Sequence, residues 1–588
     1  MTTLVHRSFL SIALVFAMTA PARAEGVLDH VPDDALGFAM IRNLEATNDK
    51  IERVFEIFQE VSPAPLPAPL AALKSATGLG AGLNDRGDAI LALLAGADDP
   101  MSPRPLLVFP VSDYAAFAGS VKGDASGEIS LVTIAGEEVL AARRGSFAVL
   151  MNVEHRDRLE ALLAAEPKQP AAIAPLQDWL SKTDAAAVIM PTGVDMLAEA
   201  GKQGLAGQRA MMDQAADDPQ TAQMLKQMQA SMEMYEGVLG FLGAEIEAAG
   251  FGLSIDDATN LRLTERVVLS QKGQLANIKP VAPLAESPFA AYADEPFVGA
   301  FGGPLPPEWL DALSKVGRNF IEKYPELYGF EDLKAEDWKD VEESWKESLA
   351  GWKSMSMIML PGEKGDALFS NFFSVMGVEN AKTYLKSARQ AMEKWNELTA
   401  RSTSDIKMKY DMSDVTIAGK GGMLMELDVA AAVADPNVQM MQPLMETIFG
   451  KGGKLRMYYI AASDTRIVSG LASEEQLAKL VEEVAEGESN LAKSESVQHT
   501  IKLLDPQSPW QGLVSPQGCV TWFTRIMNTM MAQFGGGAPA VPEFPKTPPI
   551  GFSMNLADGQ FSGEMVLPVE TLKGLAAFIK DVNENFAP

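Results

Sequence analysis

Short segments in the first half of this 588-residue chain recur in the same order in its second half. The pentapeptide VTIAG marks the pattern, since it occurs at 132–136 and again at 415–419. A tandem duplication must give matches that keep their order along the chain. We therefore predict two related domains, a first repeat at 25–280 and a second at 281–588, behind a separate segment of residues 1–24.

Five further matches flank the pentapeptide, which we interpret as a relic of the duplication. They are an acid-led first strand, a buried strand stopped by proline, a strand leading into a helix, a strand ending in a P-x-G turn, and a closing hairpin. In chain order they pair 33–38 with 294–299, 106–110 with 357–361, 147–150 with 466–471, 188–193 with 513–518, and 250–255 with 551–556. The offsets between matches vary, which indicates an old duplication with insertions.

The connections between these segments predict the fold class. Most predicted strands are joined by hairpins or by single helices, without the regular alternation of strand and helix that a doubly wound sheet requires. We therefore predict an α+β protein whose two tandem domains each contain a mainly antiparallel sheet with packed helices. The acid-led first strand and closing hairpin of each half resemble an exported bacterial domain family of unknown function. That resemblance implies secretion and duplication, and no activity.

The first 24 residues have the pattern of a signal peptide. His6 and Arg7 precede an apolar run at 9–20, which is too short to span a bilayer, and residues 21–24 supply the small-x-small pattern of a cleavage site. We expect cleavage before Glu25 and a periplasmic or extracellular location. No later apolar stretch is long enough to cross a membrane, so the mature chain is predicted to have no transmembrane segment.

Charge and cysteine content exclude several classes of function. The net charge is −29, and such a polyanion repels phosphate backbones and anionic lipid surfaces, so we expect no nucleic-acid partner. Cys519 is the only cysteine, so no intramolecular disulfide can form. Stability must come from burial, for which a hydrophobic fraction of 47% over this length suffices.

Catalytic and metal-binding motifs are absent from the sequence. His30, His155 and His499 are isolated, and neither a metal-binding H-E-x-x-H nor a nucleophile G-x-S-x-G nor a phosphate-binding G-x-x-x-x-G-K-[ST] pattern occurs. Carboxylates are numerous and lie mostly beside turn residues. The sequence therefore predicts no cofactor and favours a non-enzymatic protein. A hydrolase whose carboxylates are brought together by the fold stays open as an alternative.

Methionine is unusually frequent, with 31 residues. Two groups at helical spacing lie just before the closing hairpins, and they consist of Met224, Met228 and Met232 in the first half and Met527, Met530 and Met531 in the second. Such faces usually pack into a core. They are also typical of adaptable apolar binding surfaces, and soft thioethers can hold Cu(I). Both binding hypotheses are retained.

Tryptophan is concentrated in the second half. Trp338, Trp345 and Trp352 recur every seventh residue of an acidic segment, which predicts one helical face that is buried in its own domain or anchors a partner. Taken with the missing motifs, the sequence predicts an exported non-enzymatic protein that binds a partner protein or an apolar ligand. A periplasmic Met-rich Cu(I)-binding protein is the alternative binding role.

Overall fold

The computed structural model describes residues 26–61, 68–96, 102–214, 219–276, 278–323, 349–363, 366–401, 409–428, 442–487, 490–533 and 540–586, with four isolated helical positions between 339 and 347. The predicted signal peptide, Trp338, Trp345 and the side chain of Met224 lie outside the described residues. Within them the protein is α+β, as predicted, with antiparallel strand pairing. The chain forms two compact units, 1–49 with 67–193 and 50–66 with 194–588.

The first unit is built on a seven-stranded sheet. Its strands are β1 (Ala35–Ile41), β2 (Ala89–Leu94), β3 (Arg104–Pro110), β4 (Ile129–Ile134), β5 (Glu137–Arg144), β6 (Phe147–Asn152) and β7 (Ala185–Ile189). They pair in the order β7-β1-β2-β3-β6-β5-β4. Its helices are α1 (Leu44–Phe58, which continues past the unit's boundary), α2 (Pro69–Thr77), α3 (Tyr114–Ser120), α4 (Arg156–Ala164) and α5 (Gln177–Leu180).

Alternating apolar residues on these strands form the core of the first unit. Helix α3 begins where the Asp113 carboxylate accepts hydrogen bonds from the backbone N–H groups of Ala115 and Ala116, at 2.9 and 3.1 Å. This cap orients the helix so that Phe117 is fully buried against the sheet beside Leu150. The core of the first unit therefore lies between helix α3 and one face of the sheet.

The described residues of the second unit form twelve strands. They are β8 (Ile246–Ile255), β9 (Leu261–Leu269), β10 (Gly299–Pro304), β11 (Trp352–Met359), β12 (Phe372–Val378), β13 (Tyr410–Ile417), β14 (Lys420–Asp428), β15 (Lys454–Ala461), β16 (Arg466–Leu471), β17 (Trp510–Val514), β18 (Ile550–Ala557) and β19 (Gln560–Leu567). They pair in the order β8-β9-β19-β18-β17-β10-β11-β12-β16-β15-β14-β13.

The helices of the second unit cover parts of both faces of this sheet. They are α6 (Pro191–Gln214), α7 (Pro219–Glu245), α8 (Pro307–Lys323), α9 (Ala381–Arg401), α10 (Gln442–Phe449), α11 (Glu474–Glu486), α12 (Glu495–Ile501), α13 (Pro516–Gln533) and α14 (Val569–Phe586). Helix α11 begins at a capping box formed by Ser473 and Gln476, and its Leu477 and Val481 are fully buried in the main core of the unit.

The hairpin β8–β9 pairs with β19, the last strand of the chain, so the closing hairpins of both sequence halves belong to one sheet. Behind this seam the carboxylate of Glu564 accepts hydrogen bonds from Arg262, from Ser553 Oγ at 2.8 Å and from the backbone N–H of Asp505. Its side chain is 9% exposed. The ion pair therefore joins the two hairpins in a site that is largely removed from water.

Both VTIAG segments form the turn of a hairpin, with Ala135 and Ala418 in the left-handed region at φ 52° and 48° before a glycine of positive φ. The strands differ in position, however. Counted from the matched segments 106–110 and 357–361, two strands separate β4 from β3 and four separate β13 from β11, so the second half has two additional strands between the matched segments. The two VTIAG segments share a turn geometry, and their interpretation as a relic of a duplication stays a prediction.

The P-x-G segments have closely similar surroundings in the two units. Gly193 and Gly518 are each the third residue of a helix, and a Cβ there would lie 1.9 Å from the carbonyl oxygen of Leu36 and 1.8 Å from that of Phe297. Glycine is required at both positions because helix and first strand approach so closely. The two compact units divide the chain at positions other than residue 280. The duplication and its boundary at 280 stay predictions.

We predict that His30 makes the first unit sensitive to mild acid. Burial, aided by the charge of Arg144, lowers its pKa to about 4. A histidine kept neutral by folding supports stability above its unfolded pKa near 6.5, and this support is lost as pH falls toward 4. The difference is worth up to about 3 kcal/mol. The urea midpoint should fall between pH 7 and 4, and His30→Gln should flatten that dependence while His155→Gln should not. An unchanged slope in His30→Gln would refute the assignment.

Removing the buried carboxylate at the seam should destabilise the second unit strongly. Glu564→Ala leaves the Asp505 N–H and Ser553 Oγ without their acceptor and Arg262 without its carboxylate, although Arg262 still donates to Leu503 O, and we expect a loss of about 2–3 kcal/mol in the free energy of unfolding. Glu286→Ala is the control, because its 3.5 Å pair with Arg466 is exposed and should cost less than about 1 kcal/mol. Chemical denaturation of both variants checks this. Equal losses of stability in the two variants would show that the Arg262–Glu564 pair contributes no more than an exposed ion pair.

Candidate functional site

An open groove of about 800 Å³ runs across one face of the large sheet in the second unit. We call this space the groove and define it by the side chains that line it. They come from eight neighbouring strands and are Phe251, Leu263, Glu265, Phe561, Met565, Phe552, Met554, Val514, Phe301, Met357, Met359 and Phe372. All but Glu265 are apolar, so the groove is an apolar surface with a single charged group on its face.

Strand register places these residues on one face. Directly opposed residues of antiparallel strands point to the same side of a sheet. Phe251 is opposite Glu265, Leu263 is opposite Met565, and Met565 is opposite Phe552. Farther along, Gly512 links Phe552 to Phe301, and Phe301 is opposite Met357. The groove face is therefore continuous from β8 to β12.

Three glycines on this face make it concave. Gly299, Gly512 and Gly563 lie in β10, β17 and β19 and are opposite large groove residues. Glycine inside a strand often marks a close approach of other groups. Phe301 fills part of the gap at Gly512, where a Cβ would lie 3.0 Å from its ring. At Gly299 and Gly563, however, the nearest atoms of the described residues to an added Cβ are 3.5 and 3.6 Å away, which is ordinary contact distance, so a side chain could be added there without displacing those neighbours.

Aromatic side chains and helices bound the groove. At the end of β17 away from α13, Trp510 stacks between Phe301 and Trp309 of helix α8, with ring centroids 5.3 and 6.3 Å apart. Beyond β11 on the same face, helix α9 covers the sheet, with Tyr384 packed against Met376. The groove is the part of the face that these helices leave open.

Helix α13 starts at the other end of β17 and contributes Cys519 to the groove wall. Arg525 fixes this helix, since its guanidinium donates to the carbonyl oxygens of Pro361, Asp366 and Ala367. On α13 the helical repeat places Phe523 and Met530 on the same side as Cys519. They are 54% and 41% exposed, so the apolar surface continues along the helix.

Charge is nearly absent from the groove face. Glu564 also borders the groove, but it alternates with Gly563 and Met565 along β19 and is bound by Arg262 behind the sheet. Glu265 is half-buried and faces the groove between Phe251 on β8 and Gly563 on β19. Within the described part of the chain, no hydrogen bond or ion pair engages its carboxylate.

The predicted methionine groups do not line the groove. Met232 is buried against Met212 of α6, which fits core packing, whereas Met228 on the same helix is exposed. Met527 and Met531 are half-buried on α13, and Met530 is exposed there. The groove contains other methionines instead, Met357, Met359, Met554 and Met565, all on strands.

The predicted tryptophan face was wrong for the one member that is described. Trp352 is the first residue of strand β11, and its ring is tilted against Tyr384 with centroids 5.9 Å apart. The seven-residue spacing is broken because a turn at Gly351 ends the helical segment. The alternating Met355, Met357 and Met359 then follow the period of a strand.

Sequence reasoning missed the groove although a signal was available. Single glycines interrupt the apolar strand segments VGAFGGP, WQGLV and QFSGEMVL, and a glycine inside a strand often marks a bulge or a close approach. The alternation in SMSMIM likewise predicts a strand with methionine on one face. Which glycines share a face is decided by the pairing of distant strands, and this is not visible in the sequence.

The described residues contain no group of three or more His, Cys, Asp or Glu side chains that could hold a metal ion. None of the helices in that part of the chain combines the length and the apolar character needed to cross a membrane. Comparison of the chain with protein-family models, curated proteins and solved structures gave no match. The resemblance to an exported domain family stays a prediction.

Cys519 offers a direct readout of the groove because it is the only cysteine. Burial raises the pKa of its thiol, so less thiolate is present at neutral pH than for an ordinary cysteine. We expect its reaction with a disulfide reagent to reach half its maximal rate at a higher pH in the folded protein than in urea. Identical pH profiles would show that the thiol is not shielded by the groove wall.

Proposed function

We propose that this protein binds an elongated apolar ligand, such as an alkyl or acyl chain, in the groove of its second unit. The observation that carries the proposal is the open groove itself, a face lined by phenylalanine and methionine in which Gly299 and Gly563 could each take a Cβ at ordinary contact distances from the described residues. Its volume of about 800 Å³ lies within the range of small-molecule sites, about 300–1,000 Å³.

Exposure of the lining supports binding over a purely structural role. Phe251 is 58% exposed and Leu263 is 40% exposed, although both lie on a sheet face that could have been covered by a helix. Contiguous apolar surface of this kind is uncommon on monomers unless it is used for binding. An occupant that removes it from water gains about 0.8 kcal/mol for each buried CH₂ group.

Methionine and phenylalanine together suit a ligand without fixed shape. Methionine has three rotatable bonds and a polarizable sulfur, so the four groove methionines can adjust to chains of different length and unsaturation. The groove also lacks a set of polar groups that would orient a rigid polar ligand. With an N-terminal segment that has the pattern of a signal peptide, the chain is proposed to act outside the cytoplasm, as a carrier of an apolar molecule.

Filling the groove should abolish binding without unfolding the protein. Gly299→Leu adds a side chain where an added Cβ meets only ordinary contacts, 3.5 Å from Leu513 O and 3.8 Å from Val514 Cγ2. We expect the affinity for the fluorescent apolar probe N-phenyl-1-naphthylamine to fall at least about tenfold, because the leucine occupies the probe's space. Fluorescence titration measures the affinity and thermal denaturation checks the fold.

The matched control is Gly421→Leu. Gly421 is also in a strand, β14, with open space around an added Cβ, and it lies outside the groove. This variant should bind the probe as the unaltered protein does. If Gly299→Leu retains full binding while it is folded, the groove is not the site.

A further inference from the structure

Within the groove, the position of Glu265 points to a specific ligand class, and this inference rests on the proposed function. We propose that the groove selects cationic amphiphiles, an alkyl chain with an ammonium head, and that Glu265 binds the head while the rest of the groove binds the chain. Glu265 is the specificity-determining residue in this assignment, and the other lining side chains supply apolar surface.

The first observation is a notch beside Glu265. Gly563 is directly opposite Glu265 on β19, and the point that a Cβ of Gly563 would occupy lies 3.7 Å from Glu265 Oε2. The same point lies 3.6 Å from Cε1 of Phe561. A small group placed in the notch therefore contacts both a carboxylate oxygen and a carbon of an aromatic ring.

The second observation is the surroundings of the carboxylate. Phe251 is opposite Glu265 on β8, and Leu263 and Val267 are its neighbours on the same face of β9. The basic residues Arg262 and Arg266 alternate with these along β9. Arg262 binds Glu564 on the other face, and Arg266 donates to the backbone carbonyl oxygen of Glu265 at 2.9 Å, not to its carboxylate. A carboxylate among apolar side chains to which no cation of the described residues is bound is the complement of a positively charged head.

Aromatic rings strengthen this preference. Phe251 and Phe561 lie on the strands that flank Glu265, and both line the groove. Ammonium groups, quaternary ones included, bind at the faces of aromatic rings, and a neighbouring carboxylate adds to the attraction. An anionic head such as a fatty-acid carboxylate would be repelled at this position. The net charge of −29 likewise attracts a cationic ligand and repels an anionic one as it approaches the protein.

The test compares three probes that share a twelve-carbon chain and differ in the head: dodecyltrimethylammonium, 1-dodecanol and dodecanoate. Each is measured, below its micelle-forming concentration, by displacement of N-phenyl-1-naphthylamine from the full chain. For the unaltered protein we expect the tightest binding for the ammonium, weaker binding for the alcohol and the weakest for dodecanoate, with about tenfold between ammonium and alcohol.

The single substitution Glu265→Gln should remove this order of affinities. It keeps the shape of the side chain and removes the charge, so the affinity for the ammonium should fall about tenfold while that for 1-dodecanol stays unchanged. Gly563→Val fills the notch and should also reduce the preference for the ammonium. Glu286→Gln is the control for net charge, since Glu286 is exposed and outside the groove, and it should keep the original order.

The outcomes separate this inference from the proposed function. If 1-dodecanol binds and Gly299→Leu blocks it, but Glu265→Gln keeps the preference for the ammonium, Glu265 does not select the head and only this inference fails. If all three probes bind equally to the unaltered protein, it also fails. If none of the probes binds, the proposed function fails as well.

Discussion

The pairing of β9 with β19 is the interaction on which the rest of the second unit depends. It brings a hairpin from the middle of the chain next to the last hairpin, so that Leu263 and Glu265 lie opposite Met565 and Gly563. The Arg262–Glu564 pair on the other face, with its largely buried carboxylate, fixes this register. A slip of one residue in this pairing would turn the groove side chains of β8 and β9 to the opposite face.

The concavity of the groove follows from side-chain volume that is missing from a continuous sheet. A sheet with large residues at every position of this face would present a convex ridge. Gly299, Gly512 and Gly563 lower it on β10, β17 and β19, with Phe552 and Met554 of β18 between the last two, and Phe301 leans over Gly512. Strand glycines weaken a sheet. The proposed function would account for their presence in the larger of the two described sheets, since they leave room for a ligand.

Much of the fold could be predicted from the sequence, because it depends on local pattern. The α+β class and the hairpin at the Asp558–Gly559 turn follow from periodicity and turn chemistry. The predicted P-x-G turns are instead the first residues of α6 and α13, because a proline is also tolerated in the first turn of a helix. The equivalence of distant segments in the two halves could be predicted less well. Segment 106–110 forms the third strand of the first sheet, whereas 357–361 begins in β11, which is adjacent to the first strand of its half.

The site itself could not be predicted, because it is assembled by long-range pairing. The helical spacing of Met224, Met228 and Met232 predicted one face of α7 that packs in a core or binds a ligand. Met232 packs against Met212 of α6. The groove methionines are spread over β11, β18 and β19 and share a face only through strand register. Period-2 patterns show which residues of one strand share a face. They do not show which strands are neighbours, and therefore they do not show a surface.

The most direct test of the central claim is a titration of the protein, labelled with ¹³C at its methionine methyl groups, with 1-dodecanol and observed by NMR. We predict that the signals of the strand methionines Met357, Met359, Met554 and Met565 shift with a common affinity. Those of the helical Met228 and Met232 should stay in place. Shifts confined to the helical methionines, or no shift of the four strand methionines at saturating probe, would contradict it.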